Sequence, residues 1–311
     1  MKIAVSNWNN VNTDLIAELK RRGHELFTTI EEKDKQFLKK IDALITWNEV
    51  HQYGNDIFLQ EVNDAGVETF LVQHGRRGTS RIYPPFNETL ICKKACLWGE
   101  NDRQRLISTG SPADRLFVTG TSIFQHLKPR VPHEGINVVF SPEHWGEEVF
   151  ENNVVASFLR KIKGVNVITK ILKGEHTPTQ YDNVVVSDRN TPEHFSIVAD
   201  VLSKADVVVA ISESTFELLA EYLDIPVVIA DIWVPKPCQG DPRYKEFKLE
   251  YSNACTKVKD MNKFEDAIRY AIKHPEHLRA ERKQIAIDDG GVNIKDPVGE
   301  IVKLIESTCS M

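Results

Sequence analysis

Ser212, Ser214 and Thr215 stand between an unbroken apolar run, Val207-Val208-Val209-Ala210-Ile211, and an amphipathic segment that continues to Leu223. Hydroxyls at a strand-to-helix junction meet the first amides of the helix and the positive end of its dipole, an arrangement that suits the phosphate of a nucleotide. The same residue types cap helices, and Ser214 or Thr215 reads equally as an N-cap. Glu217, one turn further on, is placed to take both hydroxyls of a ribose, whereas Glu221 reads as a solvated charge. Asp224-Ile225-Pro226 then returns the chain to a second apolar run.

A second constellation is Gln73-His74-Gly75-Arg76-Arg77-Gly78, directly after an apolar run that ends at Val72. An imidazole that is partly neutral at working pH is a candidate general base toward a hydroxyl. The glycines let backbone approach a substrate, and Arg76 and Arg77 are candidate phosphate ligands on the acceptor side. A glycine-containing surface turn with two solvated arginines is the alternative. Ser141-Pro142-Glu143-His144-Trp145-Gly146-Glu147-Glu148 occupies the equivalent place in the second half. There His144 is a candidate donor to a phosphate or base and Trp145 a stacking surface, while Glu148 reads as a first-turn helix acid. Lys170 adds a positive charge near the same edge, although a plain surface lysine fits as well; Lys173 and His176 are weaker candidates. Asn7 and Trp8, with Asn9 and Asn10, and Trp47, with Asn48 and Glu49, suit a polyhydroxylated acceptor. Tryptophan packing at a domain rim explains the two indoles equally.

These residues need a scaffold that brings strand ends together. Short apolar runs at about 3–6, 25–30, 43–47, 69–73, 90–97 and 116–119 alternate with helical periodicity at about 12–22, 56–65 and 101–108. Strands without polar alternation indicate a parallel sheet covered on both faces, and right-handed crossovers make it doubly wound. A charged stretch with two prolines at 127–135 reads as a linker. The rhythm restarts with strands at about 137–141, 166–171, 184–187, 207–211 and 227–230, separated by helices at about 148–161, 192–203 and 215–223. Three further helices are expected at about 261–273, 275–287 and 297–308. The expected organisation is a Rossmann-like acceptor domain over 1–126, the linker, and a Rossmann-like nucleotide-donor domain over 136–311 with C-terminal helices. Their strand ends would face across a cleft. The proline-rich segment 233–244 is a candidate ligand cover.

Composition removes several function classes. With 41% apolar and 27% charged residues over 311 positions, the chain is that of a globular protein with two ordinary cores. A net charge of -6 offers no general attraction to nucleic acid. Five cysteines without a CxxC pair indicate neither a disulfide framework nor a structural zinc, and no metal site stands out. No apolar run approaches the roughly 20 residues of a membrane span, so a cytoplasmic protein, free or peripheral to a membrane, is expected. Neither GxxxxGK[ST] nor GxGxxG follows the first strand, which disfavours ATPase and ordinary dinucleotide readings.

Gln73-His74-Gly75, Trp98-Gly99, Phe117-Val118-Thr119-Gly120, Val139-Phe140-Ser141-Pro142 and the 212–226 segment, in that order, resemble GT-B fold transferases over residues 70–230. The pattern is similar to the CDP-glycerol glycerophosphotransferase group. It is also similar to UDP-N-acetylglucosamine 2-epimerases, whose His-Arg-x-Glu-Asn motif would fall on 144–148 with Trp145 replacing the arginine. The resemblance implies a GT-B glycosyltransferase moving a sugar from a nucleotide-activated donor to an acceptor hydroxyl, without metal or cofactor. His74 would be the acceptor-side base; Ser212, Ser214 and Thr215 would hold the donor pyrophosphate, with His144, Lys170 and Glu217 beside them. The donor would be a nucleotide-sugar or a CDP-polyol, the acceptor a glycan, polyol or lipid-linked hydroxyl, and the oligomeric state stays open. Three departures keep other readings in play. Ser212-Glu213 stands where the glycerophosphotransferases have Asp-Tyr, Lys170-Ile171-Leu172-Lys173 lacks a following His-Pro, and Ser214-Thr215 lacks the epimerase glycines. Polyol-phosphate transfer, 2-epimerisation and nucleotide-sugar binding without catalysis are the alternatives.

Overall fold

The computed structural model describes residues 1–5, 13–27, 40–46, 55–75, 90–142, 150–174, 181–188, 191, 193–232 and 252–310. The chain divides into two compact units, one made of Met1–Gly75, Pro85–Ser122 and Asp288–Met311, the other chiefly of Ile123–Ile287.

The first unit contains β1 (Lys2–Val5), α1 (Thr13–Arg21), β2 (Glu25–Phe27), β3 (Ala43–Thr46), α2 (Asn55–Asp64), β4 (Glu68–Val72), β5 (Lys94–Leu97), α3 (Glu100–Ser108) and β6 (Leu116–Val118). All six strands are parallel, in the order β2-β1-β3-β4-β5-β6. Apolar side chains leave the sheet on both faces, as in a doubly wound domain. Ile3, Val5, Ala43, Ile45, Phe70 and Val72 pack with α1, whereas Ala4, Leu44, Leu71, Ala95 and Leu97 join α2 and α3. The expected strand over 90–97 begins only at Lys94. The Thr69 hydroxyl accepts from Lys93 N at 2.8 Å, so a side chain takes the donor there.

The second unit contains β7 (Asn137–Ser141), α4 (Phe150–Leu159), β8 (Asn166–Leu172), β9 (Val184–Ser187), α5 (His194–Ser203), β10 (Val207–Ala210), α6 (Thr215–Tyr222), β11 (Val227–Ala230), β12 (Thr256–Val258), α7 (Phe264–Lys273) and α8 (Arg279–Asp288). Its strands are again all parallel, in the order β12-β11-β10-β7-β8-β9. Val138, Phe140, Val207, Val209 and Ile211 form one core with α4 and α7. Strand alternation therefore turns Ser141, Val208, Ala210 and Ser212 to the opposite face. The stretch expected as a linker runs along this unit: Val131 N donates to Ser203 O at 2.8 Å and Arg130 Nη2 to Ala205 O at 2.9 Å.

Two further expectations are corrected, and one strand adds to those expected. The last helix, α9 (Pro297–Cys309), does not belong with the second domain: Ile301, Val302 and Ile305 lie in the first unit's core with Leu15, Ile16 and Leu19 of α1. The helix expected from 275 starts at Arg279, because Leu278 takes a positive φ of 59° and the Pro275 and His277 carbonyls accept from the Arg282 guanidinium. β12 was not expected; Val258 is its one large apolar residue.

Candidate functional site

In the second sheet β7 is the first strand in sequence and β10 the fourth, yet the two are neighbours, so chain direction across the sheet reverses between them. Open α/β sheets bind ligands outside the carboxyl ends of strands at such a reversal. Ser141 pairs with Ala210 and Phe140 with Thr169, which brings Ser141, Lys170 and the 211–214 turn to this one edge. Lys170 is no surface lysine. It is 7% exposed, and its ammonium lies 5.4 Å from the centre of the Phe216 ring in the first turn of α6.

Ser212 is buried beside this turn and Thr215 opens α6. Ser214 and Glu217 instead act on each other. The Ser214 hydroxyl accepts from Phe216 N at 3.2 Å, and Glu217 Oε2 accepts from Ser214 N at 2.7 Å and from Ser214 Oγ at 2.5 Å. That is a capping box, legible as Ser-x-x-Glu, and it aims the two side chains at each other. The Ser141 hydroxyl also bonds the Glu217 carboxylate, tying the end of β7 to the start of α6. Glu221, expected on a solvated face, is buried as well, because α6 packs on β10 and β11. Glu213 has a structural task that sequence reading missed: its carboxylate accepts from Ser252 N at 3.1 Å and Ser252 Oγ at 2.5 Å.

Burial is the main influence on Glu217, which is 1% exposed, and it raises the carboxyl pKa; the bonds from Ser214, its own amide and Ser141 pull the other way. A folded pKa above the unfolded one means that the folded state binds the proton more tightly. Stability is thus greatest at low pH and falls as pH rises through the unfolded value toward the folded one. Glu217→Gln keeps an acceptor for Ser214 without the buried charge. Its unfolding midpoint is expected to exceed that of the native chain at neutral pH and to converge with it in acid. A difference that is the same at every pH would sink the assignment.

In the first unit the sheet order reverses between β1 and β3. Asn7, Trp8 and Trp47, which follow those strands, lie outside the described residues, as do Arg76, Arg77, His144, Trp145, Glu147, Glu148, His176 and the 233–244 segment. His74 is described. It follows β4 by two residues at the carboxyl edge of the sheet and is half-buried. Lys173 is exposed and pairs with Asp188 at 3.1 Å. Cysteine chemistry finds no support among the described thiols: burial pushes Cys96 up to about 12, and Cys255 is raised by burial and by Glu213. Among the described residues, no group of three or more His, Cys, Asp or Glu side chains could hold a metal ion, and no helix is long and apolar enough to cross a membrane.

No family model and no curated protein matches the sequence. Solved structures do match. The UDP-GlcNAc 2-epimerase from Neisseria meningitidis, bound to UDP-GlcNAc, superposes with a TM-score of 0.64 at 12% identity, over 99% of this chain and 100% of that one. A variant of the wall teichoic acid polymerase TagF gives 0.62 at 10% identity, over 100% of this chain and 89% of that one. The fold is GT-B. A glycosyltransferase from Rickettsia africae, at a TM-score of 0.55 and 10% identity over 98% of each chain, is similar too. Both Rossmann-like sheets of the GT-B architecture are therefore present, the second with its order reversal at Ser141 and Ser212.

Proposed function

We propose that this chain is a glycosyltransferase of the GT-B fold that moves a sugar from a nucleotide-activated donor to an acceptor hydroxyl. The observation that carries the reading is the edge where β7 and β10 meet: a buried lysine, Lys170, with Ser141, Ser212 and the first turn of α6 around it. An ammonium and the first amides of a helix at one edge both favour an anion, and a leaving diphosphate brings negative charge there as the sugar departs. Solved GT-B neighbours support the donor class, since the Neisseria epimerase holds UDP-GlcNAc and an S. aureus MnaA was solved with UDP. In this reading Lys170, Ser212 and Thr215 meet the donor phosphates, with His144 beside them. Ser214 and Glu217 shape the turn from within. His74 removes the proton of the acceptor hydroxyl on the side of Asn7, Trp8, Trp47, Arg76 and Arg77. The acceptor is a glycan, polyol or lipid-linked hydroxyl, the reaction runs without a bound metal or cofactor, and the protein works in the cytoplasm.

A thermal-shift panel of UDP, CDP, CMP, GDP and dTDP tests the donor site. One base is expected to raise the midpoint, by the equivalent of about 2.7 kcal/mol at a hundredfold excess over Kd. Lys170→Met should abolish that rise. His74→Ala should keep it while lowering sugar transfer by ~100-fold or more. A panel in which no nucleotide moves the midpoint overturns the donor reading, and full turnover in His74→Ala removes the base. Conversion of UDP-N-acetylglucosamine to its 2-epimer without any acceptor would establish epimerisation in place of transfer.

A further inference from the structure

We propose that Gln73, Asp102 and Trp98 are positioning residues that fix His74 from behind. The catalytic part of this claim rests on His74 being the acceptor-side base; the positioning part does not. Gln73 is 1% exposed and every polar group it owns is used. Its backbone N–H continues the sheet one rung past β4, donating to Cys96 O at 3.0 Å. Its backbone carbonyl accepts from the Trp98 indole N–H at 2.8 Å. Its side-chain oxygen accepts from Trp98 N at 2.8 Å, and its side-chain nitrogen donates to Gly75 O at 2.8 Å and to Asp102 Oδ2 at 2.5 Å.

The partners settle which way the amide points. A backbone N–H cannot donate to an NH2 group, and neither a carboxylate nor a carbonyl can accept from an oxygen. Only the orientation with oxygen toward Trp98 and nitrogen toward Asp102 and Gly75 satisfies all of them. His74 is consequently held on both sides: the carbonyl before it is bound by the indole, and the carbonyl after it by the Gln73 amide. With its backbone pinned, the imidazole retains only its two side-chain torsions, which is the order a general base needs toward one hydroxyl.

Asp102 supplies the outer anchor. It lies in the first turn of α3, where the helix dipole favours a carboxylate, is 1% exposed, and has Arg105 Nε 3.6 Å from its other oxygen. Glutamine is the side chain this network requires at 73. A glutamate could not donate to Gly75 O and would put a second carboxylate against Asp102, while an asparagine is one methylene too short to keep the same reach.

Histidine-selective labelling with 15N and 13C tests the arrangement without any substrate. The His74 ring signals are identified by their loss in His74→Ala, then followed in Gln73→Met, which keeps volume and removes every side-chain hydrogen bond. They are expected to shift or broaden in Gln73→Met while the other assigned histidines hold their positions. Trp98→Phe, which removes the indole donor and part of the ring but keeps the backbone N–H bonded to Gln73, covers the case in which Gln73→Met fails to fold, and a smaller displacement is expected there. Asp102→Asn retains an acceptor for the Gln73 amide and should keep near-native His74 signals, whereas Asp102→Leu should displace them. Unmoved His74 signals in a folded Gln73→Met or Trp98→Phe protein overturn the positioning proposal and leave the base assignment untouched. Full turnover in His74→Ala does the reverse.

Discussion

Gly291→Ala is expected to prevent stable folding of the first unit, or to cost about 4 kcal/mol or more if it folds. Gly291 has a positive φ of 61°, which alone costs an alanine roughly 1–2 kcal/mol. Space is the larger obstacle. A Cβ there would overlap the Trp98 carbonyl oxygen and lie 2.8 Å from the Gly120 Cα. Both obstacles are main chain, so no side chain can turn aside to make room. Gly99 faces the same problem from the other direction, since its Cβ would overlap the Asp288 carbonyl. Gly110 provides the control. Its φ is 95° but nothing lies within 4 Å of an added Cβ, so Gly110→Ala should show the conformational cost alone. Denaturant unfolding of the two variants decides the matter, and equal losses would mean that the backbone contact at Gly291 has no energetic weight.

That junction explains why Trp98-Gly99 and Thr119-Gly120 form recognisable patterns in the sequence. They mark the carboxyl ends of β5 and β6, where the returning 288–291 segment crosses on bare backbone, with Asn101 Nδ2 on Asp289 Oδ1 at 2.7 Å. The reason was not legible, because Gly291 lies far along the chain and nothing local marks its target. Strands were readable for the opposite reason: runs such as Val207–Ala210 and Val227–Ala230 are apolar at every position, which only a sheet covered on both faces permits. The apolar stripe of α9 was equally clear, yet a stripe does not say which sheet it covers, and Ile301 and Ile305 turned out to pack on the first. At the site, His74 and Lys170 could be placed at strand ends by counting, whereas the duties of Gln73 and Asp102 arise from residues 25 and 29 positions apart. Ser214 and Glu217 carry two readings at once. Their capping-box spacing was legible, and the ligand role assigned to them competes with bonds they already make to each other.

Arg282→Ala is expected to cost the protein about 2–3 kcal/mol, below the range for a fully buried ion pair because Arg282 is buried while its partner Asp224 is a third exposed. Among the described residues Arg282 is the largest fully buried side chain. Its Nε and Nη2 donate to Asp224 Oδ1 at 3.0 and 2.5 Å, Nη1 donates to His277 O at 2.6 Å, and Nη2 also reaches Pro275 O at 2.5 Å. Asp224 ends α6 at a positive φ of 59°, a conformation that favours glycine, so the arginine holds the residue that turns the chain from α6 into β11. Truncation removes the guanidinium donors from the Pro275 and His277 carbonyls. Lysine would be no remedy, since one ammonium cannot span the carboxylate and both carbonyls as the planar guanidinium does. Arg279, whose Nε lies 2.6 Å from Asp224 Oδ2, is half-exposed, and Arg279→Ala should cost less than about 1 kcal/mol. Asp224→Asn combined with Arg282→Ala should cost clearly less than the sum of the two single changes, because each single change removes the same contact. Strict additivity in that cycle would mean that the guanidinium works through the carbonyls alone, and the clamp on the end of α6 would have to be abandoned.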